Sequence, residues 1–262
     1  MANEKATEKK TAIVTKDTIS KLYHISLFSK IMYFERNVRI SAFDNTFRYG
    51  TTLKDLDDEF NIPITNLPLF ISMIETAMGK EDKVTVEYTV ETHDFGLDSK
   101  KLYTVNIISG TQQIVFYSSN DGIEEFNMLT PKDTKDKSKI EKLPDAHMEF
   151  KLSSEVLKMM DRSCKCLSAD TISFIGGKGA DSGKPIKCKI QNSSVSNSPL
   201  TEFKIENISS VDSDEFPLNV AMFNMIDKSL DYTVVINCEK NGILFANEES
   251  GTFYITARRT TN

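Results

Sequence analysis

One glycine-rich run, GGKGADSGKP at Gly176–Pro185, has the composition of a phosphate-binding loop. Its spacing does not fit. The residue five before Gly183 is Lys178 rather than glycine, and Lys184 is followed by Pro185 rather than serine or threonine. A hairpin loop accounts for the run. His24, His93 and His147 lie far apart, and none stands in a metal-ligand spacing. Cys164 and Cys166 are separated by one residue with no second pair nearby, which is not a zinc arrangement. Asp57/Asp58 and Glu124/Glu125 sit in polar surroundings and read as solvated loop charge, and no nucleophile elbow occurs. No catalytic residue, cofactor or metal is expected, so the chain does not read as an enzyme. An enzyme whose groups converge from distant positions is a remote alternative.

The spacing that carries chemistry is in Ser153–Leu167, SSEVLKMMDRSCKCL. Ser153 or Ser154 can cap a helix there. Val156, Met160, Cys164 and Leu167 recur at four, four and three residues and share one face, while Lys158, Arg162 and Lys165 recur at four and three on another. Such a helix lies on a sheet and turns its cations to water. For a single helix this is an ordinary solvated face. Its surroundings give it weight, because they occur twice.

The chain has 262 residues, enough for one large or two ordinary domains, with 39% hydrophobic and 27% charged residues, as in soluble globular proteins. The net charge of −6 argues against bulk attraction to nucleic acid but not against a basic surface confined to one face. The four cysteines lie in or near apolar periodic segments and read as free thiols in a reducing, cytoplasmic interior. No apolar run approaches membrane-spanning length, no signal-peptide core is expected, and no membrane partner is expected.

Residues 1–10 read as a mobile tail. Strands are expected at Thr11–Val14, Ile31–Phe34, Val38–Phe43, Thr46–Leu53 and Glu59–Ile64. A helix is expected at Asp17–Lys30, with Ile19, Leu22, Tyr23 and Leu27 facing inward. Asn66 can cap a second helix with Pro68 in its first turn, Leu69, Phe70, Met73, Ile74 and Ala77 on its apolar face and Gly79 past its end. Strands follow at Lys83–Val90, Leu102–Ile108 and Gln112–Ser118. Thr130–Leu143 is lysine-rich and poor in apolar residues, and reads as a linker.

The order then begins again. A strand at His147–Leu152 precedes the cationic helix. Strands follow at Asp170–Gly176, Pro185–Gln191, Leu200–Glu206 and Glu215–Leu218, then a helix NVAMFNMIDKSL capped by Asn219, then three closing strands. Each half therefore reads strand, helix, four strands, helix, three strands. The later helices share wording, NLPLF at Asn66–Phe70 and NVAMF at Asn219–Phe223. This predicts an α+β fold of two duplicated domains, each with helices on one face of antiparallel sheet: a domain at 11–126, a connector at 127–146 and a domain at 147–262.

This duplicated order resembles the sliding clamps of DNA replication, most of all the clamp of T-even-type bacteriophages, with proliferating cell nuclear antigen as a more distant relative. The residues carrying the resemblance are LSSEVLKMMDRS at Leu152–Ser163, DTISFIGG at Asp170–Gly177, FPLNVAMFNMIDKSLDYTVVI at Phe216–Ile236, GTFYITAR at Gly251–Arg258 and VRISAFD at Val38–Asp44. It implies the DNA clamp fold and a polymerase processivity factor: a homotrimeric ring around double-stranded DNA, held without sequence specificity, that tethers a DNA polymerase and is opened by a clamp-loader ATPase. The implied DNA contacts are Lys16, Lys21, Lys30, Lys80, Lys158, Arg162, Lys165 and Lys228. The second helix of the first half departs from the pattern, since Leu67–Met78 holds no basic residue. The implied pocket for partner peptides comprises Phe43, Met128, Leu129 and Ile255. The implied subunit contact pairs the strand near Gln112–Ser118 with that near Leu200–Glu206 of the next copy. Two other readings remain open: a clamp-like accessory factor that binds DNA without encircling it, and a duplicated structural or virion protein.

Overall fold

The computed structural model describes residues 9–42, 46–95, 98–119, 142–176, 185–195, 199–210 and 215–258. Contacts divide the chain into two compact units, one formed by Met1–Ala42 with Thr51–Ser138 and the other by Phe43–Gly50 with Lys139–Asn262.

The first unit is built on strand β1 (Lys10–Thr15), helix α1 (Lys16–Ser26), strands β2 (Met32–Glu35), β3 (Asn37–Ala42) and β5 (Asn61–Ile64), helix α2 (Leu67–Met78) and strands β6 (Lys83–Phe95), β7 (Asp98–Ser109) and β8 (Gln112–Ser119). Four strands form an antiparallel sheet ordered β1-β6-β7-β8, and β2 pairs with β5. Helix α1 packs on β1, α2 packs on β6, β7 and β8, and the two helices touch, so both cover one face. Beneath them Phe34, Phe60, Phe70, Tyr88 and Phe116 interlock, with ring centroids 5.1 to 5.8 Å apart. Edge-to-face contacts of this kind add about 0.5–1.5 kcal/mol each beyond the area they bury.

The caps of α2 are the ones its sequence announces. The Leu69 N–H donates to Asn66 Oδ1 at 3.1 Å, and the helix ends at Gly79 with φ +55°. Helix α1 departs from expectation. It stops at Ser26, its buried side chains are Thr18, Ile19, Leu22 and Ile25, and Tyr23 and Leu27 are exposed. The Tyr23 hydroxyl instead donates to Glu75 on α2. Thr18 belongs to the inner face because Asp55 satisfies it. The Asp55 carboxylate accepts from Thr18 Oγ1 at 2.7 Å, from Thr15 Oγ1 at 2.5 Å and from the Thr15 N–H at 3.3 Å. A carboxylate about 40 residues away in sequence thus ties together the side chains at the start of α1.

The second unit contains the segment of β4 (Phe47–Thr52) up to Gly50, then β9 (Met148–Leu152), helix α3 (Ser154–Cys166), β10 (Thr171–Ile175), β11 (Ile186–Gln191), β12 (Leu200–Ile205), β13 (Asn207–Ser210), β14 (Phe216–Asn219), helix α4 (Val220–Asn224), β15 (Tyr232–Asn237), β16 (Gly242–Asn247) and β17 (Thr252–Ala257). One sheet is ordered β12-β11-β10-β14. In the other, neighbours run β13-β9-β15-β16-β17-β4. Tyr254 of β17 stacks within 5.0 Å of Tyr49 and 6.0 Å of Phe47 on β4.

The pairing displays the duplication. The order β1-β6-β7-β8 in the first unit recurs as β9-β15-β16-β17 in the second, and the pair β2-β5 recurs as β10-β14. Two expectations change. After α3 the described chain forms five strands before the next helix, not four, because β13 leaves the sheet of β12 and pairs with β9 through a register shift between Asn207 and Ser209. Helix α4 is a single short turn rather than a twelve-residue helix. The Ala221 N–H donates to the Asn219 side chain as expected, but Lys228 Nζ donates to the carbonyls of Phe223, Asn224 and Ile226 and closes the helix early.

Replacing Asp55 by alanine leaves the Thr18 hydroxyl buried without an acceptor. Urea unfolding of Asp55→Ala is expected to show a loss of about 2 kcal/mol, the sum of a lost charge-assisted bond and an unsatisfied group.

Candidate nucleic-acid interface

In the second unit the cationic stripe lies on α3. The helix begins at Ser153, whose Oγ accepts from the Val156 N–H at 3.3 Å, while Asp231 accepts from the Ser154 N–H at 2.6 Å. Its buried residues are Leu157, Met160 and Cys164, so the underside passes through Leu157 rather than Val156, and Leu167 is only half-buried. Burial raises the Cys164 thiol to about 11, which keeps it protonated and inert at neutral pH. At about 100° per residue, Lys158, Arg162 and Lys165 fall within roughly 60° of arc on the far side of the helix. All three are exposed. Among the described residues Lys158 and Arg162 make no ion pair or hydrogen bond. Lys165 pairs with Asp161 at 2.6 Å. Exposed Glu155 lies in the first turn, where a negative charge suits the helix dipole.

Lys228 has a different role. Its three donors are taken by carbonyls at 3.0 Å each, and its ammonium sits 4.9 Å over the Phe223 ring. Burial lowers its pKa below the usual lysine value. It terminates α4 and has no free hydrogen for an external ligand.

In the first unit Lys16 is exposed and lies 2.5 Å from Asp82, whose carboxyl it holds below the ordinary range through that hydrogen bond. Lys21 is mostly buried, pairs with Asp17 at 2.8 Å and donates to the Thr52 carbonyl at 3.2 Å. Lys30 and Lys80 follow the ends of α1 and α2, are exposed, and make no ion pair among the described residues. Among the described residues the unpaired cations of those expected are therefore Lys30, Lys80, Lys158 and Arg162, while Lys16 and Lys165 are each paired with one carboxylate.

Of the expected peptide pocket, Phe43, Met128 and Leu129 lie outside the described residues, as do the central part of the glycine-rich run (177–184) and Glu124/Glu125. Ile255 is half-buried on β17, opposite Leu244 and Arg48. Asp57 and Asp58 are exposed, and Asp58 lies 3.6 Å from Arg36. Among the described residues no three His, Cys, Asp or Glu side chains gather as a metal site, and no helix is long and apolar enough to cross a membrane. The structure also shows a groove of about 450 Å³ that spacing did not reveal, between α3 and the strands β9, β12 and β13. Val156, Met159, Phe203, Ile205 and Ile208 give it an apolar lining. The visible signal was Met159, apolar but off the buried face of its helix.

No protein-family profile matches the chain, and no curated protein matches it. Solved structures do. The DNA polymerase III beta subunit of Thermotoga maritima superposes with a TM-score of 0.58 at 11% identity over 97% of this chain, which spans 65% of that longer chain. The proliferating cellular nuclear antigen of Entamoeba histolytica gives 0.57 at 12% identity over 95% of this chain and 98% of its own. The beta clamp of H. pylori gives 0.57 at 14% identity over 100% of this chain and 69% of its own.

Lys228→Met removes the cap of α4 while keeping the aliphatic stem. It is expected to lower the melting temperature by several degrees, on the order of 1–2 kcal/mol for lost bonds to three carbonyls. Lys158→Gln, on the open side of α3, is expected to leave it unchanged. Thermal unfolding of the two variants checks both. The chain has the α+β fold of the DNA sliding clamps.

Proposed function

We propose that this chain is a processivity clamp: a non-enzymatic protein that closes as a homotrimeric ring around duplex DNA and tethers a DNA polymerase, opened by a clamp-loader ATPase in the cytoplasm of its host. The T-even-type phage clamps are the kin this reading favours. The two domains are 11–126 and 147–262, joined by the connector at 127–146.

The observation that carries the reading is a strand pairing with an unfilled counterpart. Within the second unit, β17 accepts β4 along its outer edge. The duplication equates β17 with β8, as the last strand of its sheet, and β4 with β12, as the third strand after the first helix of its half. Strands β8 and β12 are both sheet edges. An open edge is a template for pairing with another chain. Applying the β17–β4 relation once more sets β12 of one copy on β8 of the next. Exposed Val115 and Tyr117 on β8, the latter 74% exposed, and the apolar groove beside β12 supply surface for such a contact. A head-to-tail contact of this kind either closes or grows into a filament, and three copies of two domains give six similar positions around a ring.

Lys158, Arg162, Lys165, Lys16, Lys30 and Lys80 supply sparse cations that attract phosphate without reading bases. Lys21 supports α1, which begins at Lys16, and Lys228 caps α4; neither is counted among these contacts. Ile255, half-buried on β17, is the described member of the pocket for partner peptides that the resemblance implies.

Light scattering across a dilution series is expected to give a mass near three times the chain's 29.6 kDa. Val115→Glu with Tyr117→Glu should reduce it to a single chain without unfolding. Retention of the loaded protein on closed circular DNA, and its release when the circle is cut, tests encirclement; equal retention on linear DNA without end blocks contradicts it. Lys158→Gln with Arg162→Gln and Lys165→Gln should weaken retention and make its salt dependence shallower, because fewer counterions are released.

A further inference from the structure

In the sheet ordered β12-β11-β10-β14, alternate side chains point to opposite sides. Ile186, Cys188 and Ile190 of β11, with Ile172 and Phe174 of β10, point into the core. The opposite side carries Lys187 and Lys189 of β11 with Glu202 and Lys204 of β12. The register sets Lys187 directly opposite Lys204, and Lys189 opposite Glu202. Lys187 and Lys204 are exposed and Lys189 is half-buried. Among the described residues none of the three lysines makes an ion pair or hydrogen bond.

Like charges directly opposite one another weaken an antiparallel pair. A lysine on an edge strand limits that edge to its intended partner, which gives Lys204 a reason. It gives none to Lys187 and Lys189, because β11 is paired on both sides. A chain of net charge −6 has many carboxylates, yet Glu202, which the register sets opposite Lys189, forms no ion pair with it. A second observation points the same way. Ser173 of β10 stands beside Lys189 on this side of the sheet, is 1% exposed, and its Oγ has no hydrogen-bond partner among the described residues. A buried hydroxyl without a partner opposes folding unless something satisfies it.

We propose that this face docks an acidic, extended segment of a partner protein. Lys187 and Lys189 are two residues apart, roughly 6.8 Å along the strand, which is also the repeat of same-side residues in an extended peptide. Carboxylates at alternate positions of such a segment meet these lysines in step. One carboxylate between Lys187 and Lys204 replaces their repulsion with two charge-assisted hydrogen bonds. The next reaches Lys189, with the Ser173 hydroxyl beside it. A nucleic-acid backbone suits the face less well, because Glu202 lies among the lysines and repels phosphate. The inference shares the edge strand β12 with the clamp reading but takes the side chains on the face of the sheet, whereas the clamp reading takes the outer hydrogen-bonding edge of that strand.

The test uses a fluorescein-labelled peptide of alternating glutamate and serine, followed by fluorescence anisotropy with the full chain at low ionic strength. Salt-sensitive binding is expected, weakened about tenfold or more in Lys187→Gln with Lys204→Gln. The melting temperature of that variant should equal or exceed the original, because repulsion is removed. Lys204→Glu, which sets opposite charges across the pair, should raise the melting temperature and abolish binding. Lys158→Gln with Arg162→Gln should bind the peptide unchanged. Absence of peptide binding overturns the proposal, as does binding lost equally in the α3 variant. A duplex DNA that competes for the face, with affinity governed by Lys187 and Lys204, overturns it in favour of a nucleic-acid site.

Discussion

A strand in an antiparallel sheet has hydrogen-bonding groups along both sides, and each side must be filled by a neighbour, by water or by another chain. The molecule follows from how this requirement is met. In the second unit, β17 meets it with β4, a strand from early in the sequence, and the pairing is secured by Tyr254 between Tyr49 and Phe47. In the first unit the corresponding edge, β8, ends the sheet and turns Tyr117 outward. Buried Phe116 and Ser118 hold β8 from the other side, the latter through a hydrogen bond from its hydroxyl to the Pro63 carbonyl. The edge is therefore rigid and unblunted: Gln112–Ser119 contains no lysine, proline or acidic residue that would keep another strand away.

Much of the fold was legible because local chemistry specified it. Asn66, Ser153 and Asn219 each cap the helix that follows, and Gly79 takes the positive φ that ends α2. Alternation located the long strands of the first unit. The misreadings share a cause, which is contact between residues distant in sequence. Nothing near Thr18 indicates that Asp55 accepts its hydroxyl and so makes it an inner-face residue. Nothing near Tyr23 indicates that Glu75 holds its hydroxyl at the surface. Strand β13 was invisible because its partner β9 lies more than fifty residues earlier and their ladder is interrupted by a bulge.

The candidate site was legible as a list of cations but not as a surface. In sequence, Lys21, Lys158 and Lys228 are equivalent: lysines on or beside a helix. Reach separates them. Lys228 sits where three carbonyls converge at the end of α4, and Lys21 lies between Asp17 and the Thr52 carbonyl. Lys158 and Arg162 are exposed on α3 and have no ion pair or hydrogen bond among the described residues. The strand lysines were harder to see. IKCKIQ alternates plainly, but the opposition of Lys187 and Lys204 exists only once the register is known.

The two cationic surfaces also differ in how their charge is arranged, and the difference bears on what each can hold. On α3 the stripe is diluted: Lys165 is already paired with Asp161, and Glu155 lies within about 20° of Arg162 around the helix. Charges this sparse give weak contacts that break and re-form easily, which suits a polyanion that must move past them. On the β11–β12 face Lys187 and Lys204 oppose each other at fixed register, beside a buried hydroxyl with no partner among the described residues. That geometry favours an occupant with carboxylates at fixed intervals, held in one place. A chain that is acidic overall therefore presents positive charge in two arrangements, one spread sparsely along a helix and one fixed by strand pairing, and register rather than composition distinguishes them.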